Sequence, residues 1–249
     1  MNAPILKTSG LTKRFSEGVL FSRREVLAVR DLDLEVFEGE IFGVLGPNAA
    51  GKTTTLNMLV GVARPTQGSI ELFGKPFVAG DTAPFARIGY VPETTVLPGF
   101  CSVHDLLFFF GRLFGCPKAL LRERIKYLLE VTGLTKERHV LLKHLSAGQR
   151  RQVDFIQALV HDPDLIILDE PTVYLDPVIL QRFREMLLGL KKAGKTVLLS
   201  THSLTEIEKI CDRVAVLDQG RCLKVESREE FMKAGGMEEE FMRIIHHED

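Results

Sequence analysis

Apolar and polar positions change their spacing along the chain, and each change predicts a different kind of element. In Asp31–Val36, acidic and apolar residues alternate with period two, which is typical of a strand with one buried and one solvated face. Residues 165–168 form a continuous apolar run, which favours a strand buried on both faces of a parallel sheet. Residues 196–199 predict a second strand of this kind. The pattern therefore indicates an α/β fold.

A mainly helical stretch separates these strands between residues 101 and 160. Apolar side chains recur there at three- and four-residue steps, the spacing of one helix face: Leu121, Ile125, Leu128 and Leu129. Gly133 is suited to end that helix, and Ser203 followed by Glu206 fits a capping box at the start of a later one. We expect a single domain over residues 1–249. In it, 101–160 form an inserted helical subdomain between the strand-rich parts 1–100 and 161–249.

Composition and charge limit the classes of function. The chain has 249 residues, of which 26% are charged, and its formal net charge is -1. This near-balance of charge argues against nucleic-acid binding through a general excess of positive charge. No apolar run approaches the roughly 18 residues that a membrane-spanning helix needs. The first ten residues contain no long apolar segment, so no secretory signal is expected.

Residues Gly46–Thr53 carry the first chemical signal. They match the pattern G-x-x-x-x-G-K-[ST] between an apolar strand at 41–45 and a predicted helix at 54–62. In that setting, small residues let backbone N–H groups surround the β- and γ-phosphates at a helix N-terminus. Lys52 would bind phosphate oxygens, and the hydroxyl of Thr53 would bind Mg²⁺. The motif therefore predicts a nucleotide phosphate site.

Two acids follow the apolar run at 165–168. Asp169 would hold Mg²⁺ through water, and Glu170 would act as the general base on an attacking water molecule. The alternative is a pair of solvated carboxylates at a strand end. Acids placed directly after a fully apolar strand suit a core poorly unless they serve an ion, so the sequence favours the catalytic interpretation.

A third motif, Leu145–Gln149, resembles the LSGGQ signature of the ABC (ATP-binding cassette) ATPases. The resemblance covers nearly the whole chain in the family's motif order. The other matching segments are Phe15 as the aromatic A-loop residue, Gly46–Thr53 as Walker A, Ile88–Glu93 as the Q-loop, Leu165–Glu170 as Walker B, Val173–Asp176 as the D-loop and His202 as the switch histidine. It implies a P-loop NTPase (RecA-like) core with an N-terminal antiparallel β-subdomain and an inserted α-helical subdomain.

The resemblance also implies ATP and Mg²⁺ as cofactors and a set of site residues. The expected nucleotide contacts are Phe15, Gly46, Pro47, Asn48, Ala49, Ala50, Gly51, Lys52, Thr53, Thr54, Glu93, Ser146, Gly148 and Gln149. The expected metal ligands are Thr53, Glu93 and Asp169, and the expected catalytic residues are Glu170, His202 and Lys52. Phe15 has plain strand packing as its alternative, and His202 has a structural hydrogen bond as its alternative.

The partners follow from the same resemblance. Two such domains close head to tail around two ATP molecules, as a homodimer or a heterodimer, with the signature of one facing the Walker motifs of the other. A chain without a membrane span implies a separate transmembrane subunit. We expect it to contact residues 94–116 at the cytoplasmic face of the membrane. The Y-V-P-E Q-loop and the aromatic helix at 106–114 resemble the branch that serves ABC-2-type exporters, with core packing as the alternative for the helix.

The chain departs from the common pattern of the family at four positions. Ala49, Ala147 and Tyr174 replace glycines, and Glu93 replaces a glutamine. Because the lysine, the acids and the histidine remain, we expect an active ATPase, and slow hydrolysis is compatible with the departures. Two alternatives stay open: an ATP-dependent regulatory or assembly module with slow turnover, and a soluble ABC ATPase that acts on ribosomes or DNA. No nucleic-acid partner is expected.

Overall fold

A computed structural model describes residues 3–17, 24–78, 80–94, 97–173 and 175–246. These residues form two compact units. The first combines the described residues of Met1–Pro84 and Thr196–Asp249, and the second is Phe85–Lys195. The predicted boundaries of the helical subdomain, 101 and 160, both lie inside the second unit. That subdomain division stays a prediction.

The part of the chain that the structure describes contains ten strands and eight α-helices. The strands are β1 (Pro4–Glu17), β2 (Arg24–Phe37), β3 (Ile41–Leu45), β4 (Gln67–Leu72), β5 (Lys75–Pro76), β6 (Ile88–Val91), β7 (Leu165–Asp169), β8 (Thr196–Thr201), β9 (Arg213–Asp218) and β10 (Arg221–Ser227). The helices are α1 (Lys52–Leu59), α2 (Val103–Leu113), α3 (Lys118–Thr132), α4 (Ala147–Leu159), α5 (Pro177–Lys192), α6 (Leu204–Ile210), α7 (Arg228–Lys233) and α8 (Met237–His246).

The first unit contains an antiparallel sheet in the order β2-β1-β4-β5. The alternation predicted at 31–36 is confirmed, because Leu32, Leu34 and Val36 are buried in β2 while the residues between them are more accessible. In the same unit, β3 pairs in parallel with both β8 and β9, and β10 pairs antiparallel with β9. The carboxyl ends of β3 and β8 therefore lie side by side, and loops that follow them meet at one edge.

The second unit contains the parallel pair β6 and β7, with Ile88 opposite Leu165 and Val91 opposite Leu168. Every residue of β7 is buried, as the apolar run predicts. In α3 the predicted helix face is buried, and Gly133 ends the helix in the left-handed conformation at φ 74°. Local periodicity and a glycine stop thus suffice to place these elements.

Two details differ from the sequence-based expectations. The first helix begins at Lys52 rather than Thr54, because Gly51 is its N-cap, so the helix starts inside the phosphate motif. The predicted capping box at Ser203 is wrong: its side chain makes no capping hydrogen bond in the described structure. The expected partner, Glu206, is only 3% exposed. It lies on the buried side of α6 beside Ile207 instead of turning back to the helix start.

None of the helices in the described part of the chain combines the length and apolar character needed to cross a membrane.

Candidate functional site

The phosphate motif forms the turn between β3 and α1 in the first unit. A Cβ atom at Gly46 would collide with the carbonyl oxygen of Leu217, and one at Gly51 would approach the carbonyl of Ala28 at 2.5 Å. Gly51 also adopts φ 97°, which side chains with a Cβ avoid. The loop therefore follows a path that requires glycine at both ends. It brings its backbone to the N-terminus of α1, where the helix dipole favours an anion.

Lys52 lies across this loop and is only 6% exposed. Its Nζ atom donates hydrogen bonds to the carbonyl oxygens of Gly46, at 2.8 Å, and Pro47, at 3.0 Å. The predicted contacts Pro47, Asn48 and Ala49 are exposed on the loop, while Ala50 is buried below them. Thr53 and Thr54 are half-buried in the first turn of α1. The arrangement gives an accessible loop surface with an ammonium group beneath it, which suits a polyphosphate.

Ala49 has a backbone that explains why a glycine is common in such loops. Its φ is 66°, in the left-handed region that residues with a Cβ seldom adopt. The departure from the family pattern at this position therefore leaves a strained alanine in the loop.

His202 follows β8 at the same edge as the phosphate loop. Leu45 and Thr201 are paired across β3 and β8, and the N–H of Gly46 donates to the carbonyl oxygen of Thr201 at 3.3 Å. His202 is exposed. The structure thus brings the predicted switch histidine and the start of the phosphate loop to adjacent strand ends within the first unit.

Phe15 lies near the end of β1, where it pairs with Val26 of β2. Two residues further along β2, Ala28 is the residue that Gly51 approaches, which connects Phe15 to the phosphate loop through one strand. The ring is 40% exposed, and the Nζ atom of Lys13 lies 4.8 Å from its centroid. That exposure favours a stacking platform over plain strand packing.

The two predicted acids, Asp169 and Glu170, lie in the second unit at the end of β7. They are 1% and 5% exposed, respectively. On the neighbouring strand β6, burial and the carboxylate of Asp169 raise the pKa of Tyr90 to about 12. Glu170 adopts φ 43°, so the chain turns sharply there. Buried carboxylates at a strand end are an oxygen-rich setting of the kind that Mg²⁺ binds.

Glu93 follows the end of β6 by two residues and is exposed. The strands β6 and β7 are parallel neighbours, so the turn of Glu93 and the turn of Glu170 lie at the same edge. The structure brings these two acids to one edge of the second unit, as the sequence predicts. Tyr174 of the predicted D-loop lies outside the described residues.

The signature segment opens α4 in the second unit. Ser146 is the N-cap and forms a capping box with Gln149: each side chain bonds the backbone N–H of the other residue, at 3.0 and 3.2 Å. Gly148 is close to α5, because a Cβ there would lie 3.1 Å from Cδ1 of Ile179. Ser146 and Ala147 are exposed. An accessible helix N-terminus of this kind can receive an anion.

These geometries agree with the chain's similarity to known proteins. A family model described as an ABC transporter matches residues 29–173. The chain belongs to the ABC transporter family. Within it, the chain is an ATP-binding domain.

Two relatives and one solved structure illustrate the match to ABC ATPases. An uncharacterised ABC transporter ATP-binding protein of a Nostoc species is 39% identical over 234 residues, covering 93% of this chain and 69% of that protein. Nod factor export ATP-binding protein I of Cupriavidus pinatubonensis is 42% identical over 197 residues, covering 79% and 61%. A solved ATP-binding subunit of an ABC transporter superimposes with a TM-score of 0.83 at 26% identity, covering 97% of this chain and 99% of that chain.

The chain thus spans about two thirds of the length of the curated ABC relatives, between 61% and 69% in these two cases. The match to solved ABC ATPase subunits confirms the predicted α/β fold class with its P-loop core.

The sequence motifs assign no role to two residues of this ABC ATPase that the structure places beside the motifs. Arg151, on α4, donates to carbonyl groups at the ends of β6 and β7, and Glu137 accepts a hydrogen bond from Gln149. The available signal for Arg151 was its helical spacing to the buried residues Asp154 and Phe155. An arginine just after a signature is otherwise expected in solvent.

Proposed function

We propose that this chain is the ATP-hydrolysing subunit that closes as a dimer around two Mg·ATP molecules and drives a separate transmembrane subunit, in the direction of export. The observation that carries the proposal is the placement of each motif at an element end. The phosphate loop and His202 follow β3 and β8. The acids follow β6 and β7. The signature opens α4.

Each predicted residue has a role in this proposal that its surroundings support. The loop Gly46–Thr54 and the ammonium of Lys52 bind the phosphates, and Phe15 stacks on the adenine. Glu170 accepts the proton of the attacking water, and His202 contacts the γ-phosphate. For the ATP held by the other subunit, the α4 N-terminus supplies Ser146, Gly148 and Gln149.

The metal role rests on oxygen donors. A bound Mg²⁺ ion neutralises charge on the β- and γ-phosphate oxygens. Thr53, Glu93 and Asp169 offer the hydroxyl and carboxylate oxygens that this ion prefers. The described residues include no group of three or more His, Cys, Asp and Glu side chains that would hold a metal ion. We therefore propose that the ion is held jointly with the phosphates.

The transmembrane partner is proposed to bind the 94–116 segment at the cytoplasmic face of the membrane. Residues 95 and 96 lie outside the described structure. In the rest of the segment, Phe100, Phe109 and Leu113 are 83%, 61% and 66% exposed. Several large apolar side chains that remain exposed within one short segment favour an interaction surface there. The opposite side of α2 packs inward through Leu106 and Leu107, so core packing uses one side of the helix and leaves the exposed side for the proposed partner.

Export is supported by two resemblances, the Y-V-P-E Q-loop and the 42% identity to a relative named for Nod factor export. The cargo of that relative is not carried over to this chain.

Steady-state hydrolysis tests the proposed enzyme. The purified native chain should hydrolyse ATP with Mg²⁺, and Lys52→Ala should lose ATP affinity because it removes a charge-assisted phosphate contact. Lys75→Ala, at an exposed lysine of β5, is the matched control and should be unaffected. ATP binding without hydrolysis by the native chain, both alone and with its membrane subunit, would instead support the regulatory module.

Site-specific crosslinking tests the proposed partner surface. Photoreactive residues at Phe100 and Phe109 should crosslink to a membrane subunit in native membranes. A probe at the exposed Met242 of α8 is the control. Crosslinks confined to the α8 probe would contradict the proposed surface.

A further inference from the structure

Arg151 is a buried arginine whose guanidinium donates hydrogen bonds to four main-chain carbonyl groups. It is 9% exposed. Its Nη1 atom lies 2.7 Å from the oxygen of Pro92. Its Nη2 atom lies 2.9 Å from that of Asp169 and 3.1 Å from that of Glu170, and Nε lies 3.4 Å from that of Pro171. A guanidinium, with five N–H donors in a rigid fork, can serve several acceptors at once.

These carbonyl groups belong to two separate turns. Pro92 follows β6 and immediately precedes Glu93, whereas Asp169–Pro171 end β7 and contain Glu170. Carbonyl groups beyond the paired part of a strand need other donors when they are buried. Arg151 supplies those donors from α4. One side chain therefore ties together the turns that carry Glu93 and Glu170.

The backbone of Glu170 makes this contact consequential. Its φ of 43° is in the left-handed region, which costs a residue with a Cβ on the order of 1 kcal/mol. Arg151 bonds the carbonyl of Glu170 itself and those of both of its neighbours. The backbone conformation fixes the direction in which the Glu170 side chain leaves the chain, so the contacts of Arg151 bear on where its carboxylate lies.

The charges around Arg151 fit a fixed guanidinium. Burial lowers the pKa of Arg151, while the carboxylates of Asp154 and Asp169, and that of Glu93, raise it. Asp154 lies one turn further along α4 and is itself 6% exposed. A buried cation with acids around it and four hydrogen bonds to carbonyl oxygens is held in one position, and removing it leaves those acids without their counter-charge.

We propose that Arg151 is a positioning residue for ATP hydrolysis, which holds the Glu170 turn in its left-handed conformation and joins it to the turn that carries Glu93. This inference rests on the proposed function, because it takes Glu170 as the general base. Arg151 touches neither phosphate nor water in this role and acts through the backbone of Glu170.

The test compares Arg151→Lys with the native chain. A lysine keeps the positive charge, but its single ammonium cannot reach both turns. We expect kcat to fall about tenfold to a hundredfold, the scale of a misplaced catalytic group. The KM for ATP should remain within about twofold of the native value, since such a change affects the transition state only. Each folded chain should still bind one ATP. Arg122→Lys, at an exposed arginine of α3, is the matched control.

A merely structural role would give a different result. It would lower the thermal unfolding midpoint and the fraction of chains that bind ATP, and kcat per ATP-binding chain would stay native. If Arg151→Lys does not fold, Arg151→Gln takes its place in the comparison with the native chain. It removes the guanidinium and its buried charge but keeps two N–H donors.

A double mutant identifies the residue through which Arg151 acts. Combined with Glu170→Gln, Arg151→Lys should cause no further loss of rate, because the group that it positions is already inactive. A further loss by the same factor as in the native background would overturn the proposal. A native rate in Arg151→Lys beside an inactive Glu170→Gln would overturn this inference alone. A native rate in Glu170→Gln would overturn both this inference and the assignment of the base.

Discussion

The Nε2 atom of Gln149 lies 3.2 Å from Oε1 of Glu137, so a carboxylate holds the signature glutamine at the start of α4. The second oxygen of Glu137 is buried and has no hydrogen-bond partner among the described residues. An acid at this position places negative charge near a helix N-terminus. In the proposed dimer, that terminus faces the ATP of the other subunit.

Removing this charge should strengthen the ATP-dependent dimer. Glu137→Gln keeps an oxygen acceptor for Gln149 but removes the repulsion toward phosphate. Charges near a helix terminus contribute about 0.3–1 kcal/mol, so the ATP concentration for half-maximal dimerisation should fall about two- to fivefold. Light scattering against ATP concentration measures it. A weaker dimer in Glu137→Gln would show that holding Gln149 matters more than the charge.

Replacing Glu170 with glutamine should slow hydrolysis about a hundredfold or more and preserve ATP binding. Gln keeps the shape of the side chain but cannot accept the proton, and a general base contributes about a hundredfold or more. The mutant should therefore accumulate as a closed dimer with Mg·ATP, visible by gel filtration. Monomeric Glu170→Gln at saturating Mg·ATP would count against the proposed dimer.

Phe15→Ala should weaken ATP binding by less than about tenfold, because aromatic stacking contributes on the order of 1 kcal/mol. Phe15→Tyr keeps the ring and is the control. Binding of a fluorescent ATP analogue, measured beside the far-UV spectrum of each variant, separates loss of stacking from loss of fold. Unchanged ATP affinity in folded Phe15→Ala would show that the residue packs within its strand and does not stack on adenine.

Glu93→Gln should weaken the affinity for Mg²⁺, because a neutral amide attracts the ion less than a carboxylate does. Glu93 is exposed, and exposed charges are screened by solvent and salt. We therefore expect only about two- to fivefold more Mg²⁺ at half-maximal ATPase rate. Identical Mg²⁺ titrations of mutant and native chain would place Glu93 away from the metal.

Asp162 provides a prediction about stability and pH. Hydrogen bonds from Arg124, at 2.6 Å, and from Lys195, at 3.0 Å, lower the pKa of Asp162 to about 2. A lowered folded-state pKa stabilises the fold above the unfolded value near 3.8, and the stabilisation disappears as pH falls toward 2. Because the side chain is 53% exposed, Asp162→Asn should cost only about 1 kcal/mol near neutral pH.

Denaturant titrations at pH 7 and near pH 2.5 measure this difference. The difference in unfolding free energy between the two proteins should be clearly smaller at the lower pH, because most of the stabilisation from ionised Asp162 is lost there. Asparagine tolerates the φ of 65° found at Asp162, so backbone strain does not affect the comparison. A constant difference at both pH values would exclude the ion pairs as its cause.

Sequence alone predicted the features whose signals are local. The strand alternation at 31–36, the α3 face and the Gly133 stop each depend on a few neighbouring residues. Ser203 shows the limit of such signals, because its predicted capping partner Glu206 is drawn into the buried side of α6. Tertiary packing decided that case.

The motif residues of the proposed site can be selected from the sequence because each belongs to a spacing with a chemical reason. Arg151 cannot, since its donors serve carbonyl groups that are distant along the chain, at Pro92 and at 169–171. Only the folded arrangement of β6, β7 and α4 brings these groups together. The same holds for Glu137, twelve residues before Gln149.

Ala49 gives the phosphate loop a property that a glycine would not. Its methyl group confines the backbone to fewer conformations than glycine allows, both folded and unfolded. At φ 66° that confinement costs strain on the order of 1 kcal/mol, but a loop with fewer alternatives has less entropy to lose when it closes around a ligand. The alanine therefore trades conformational strain for preorganisation.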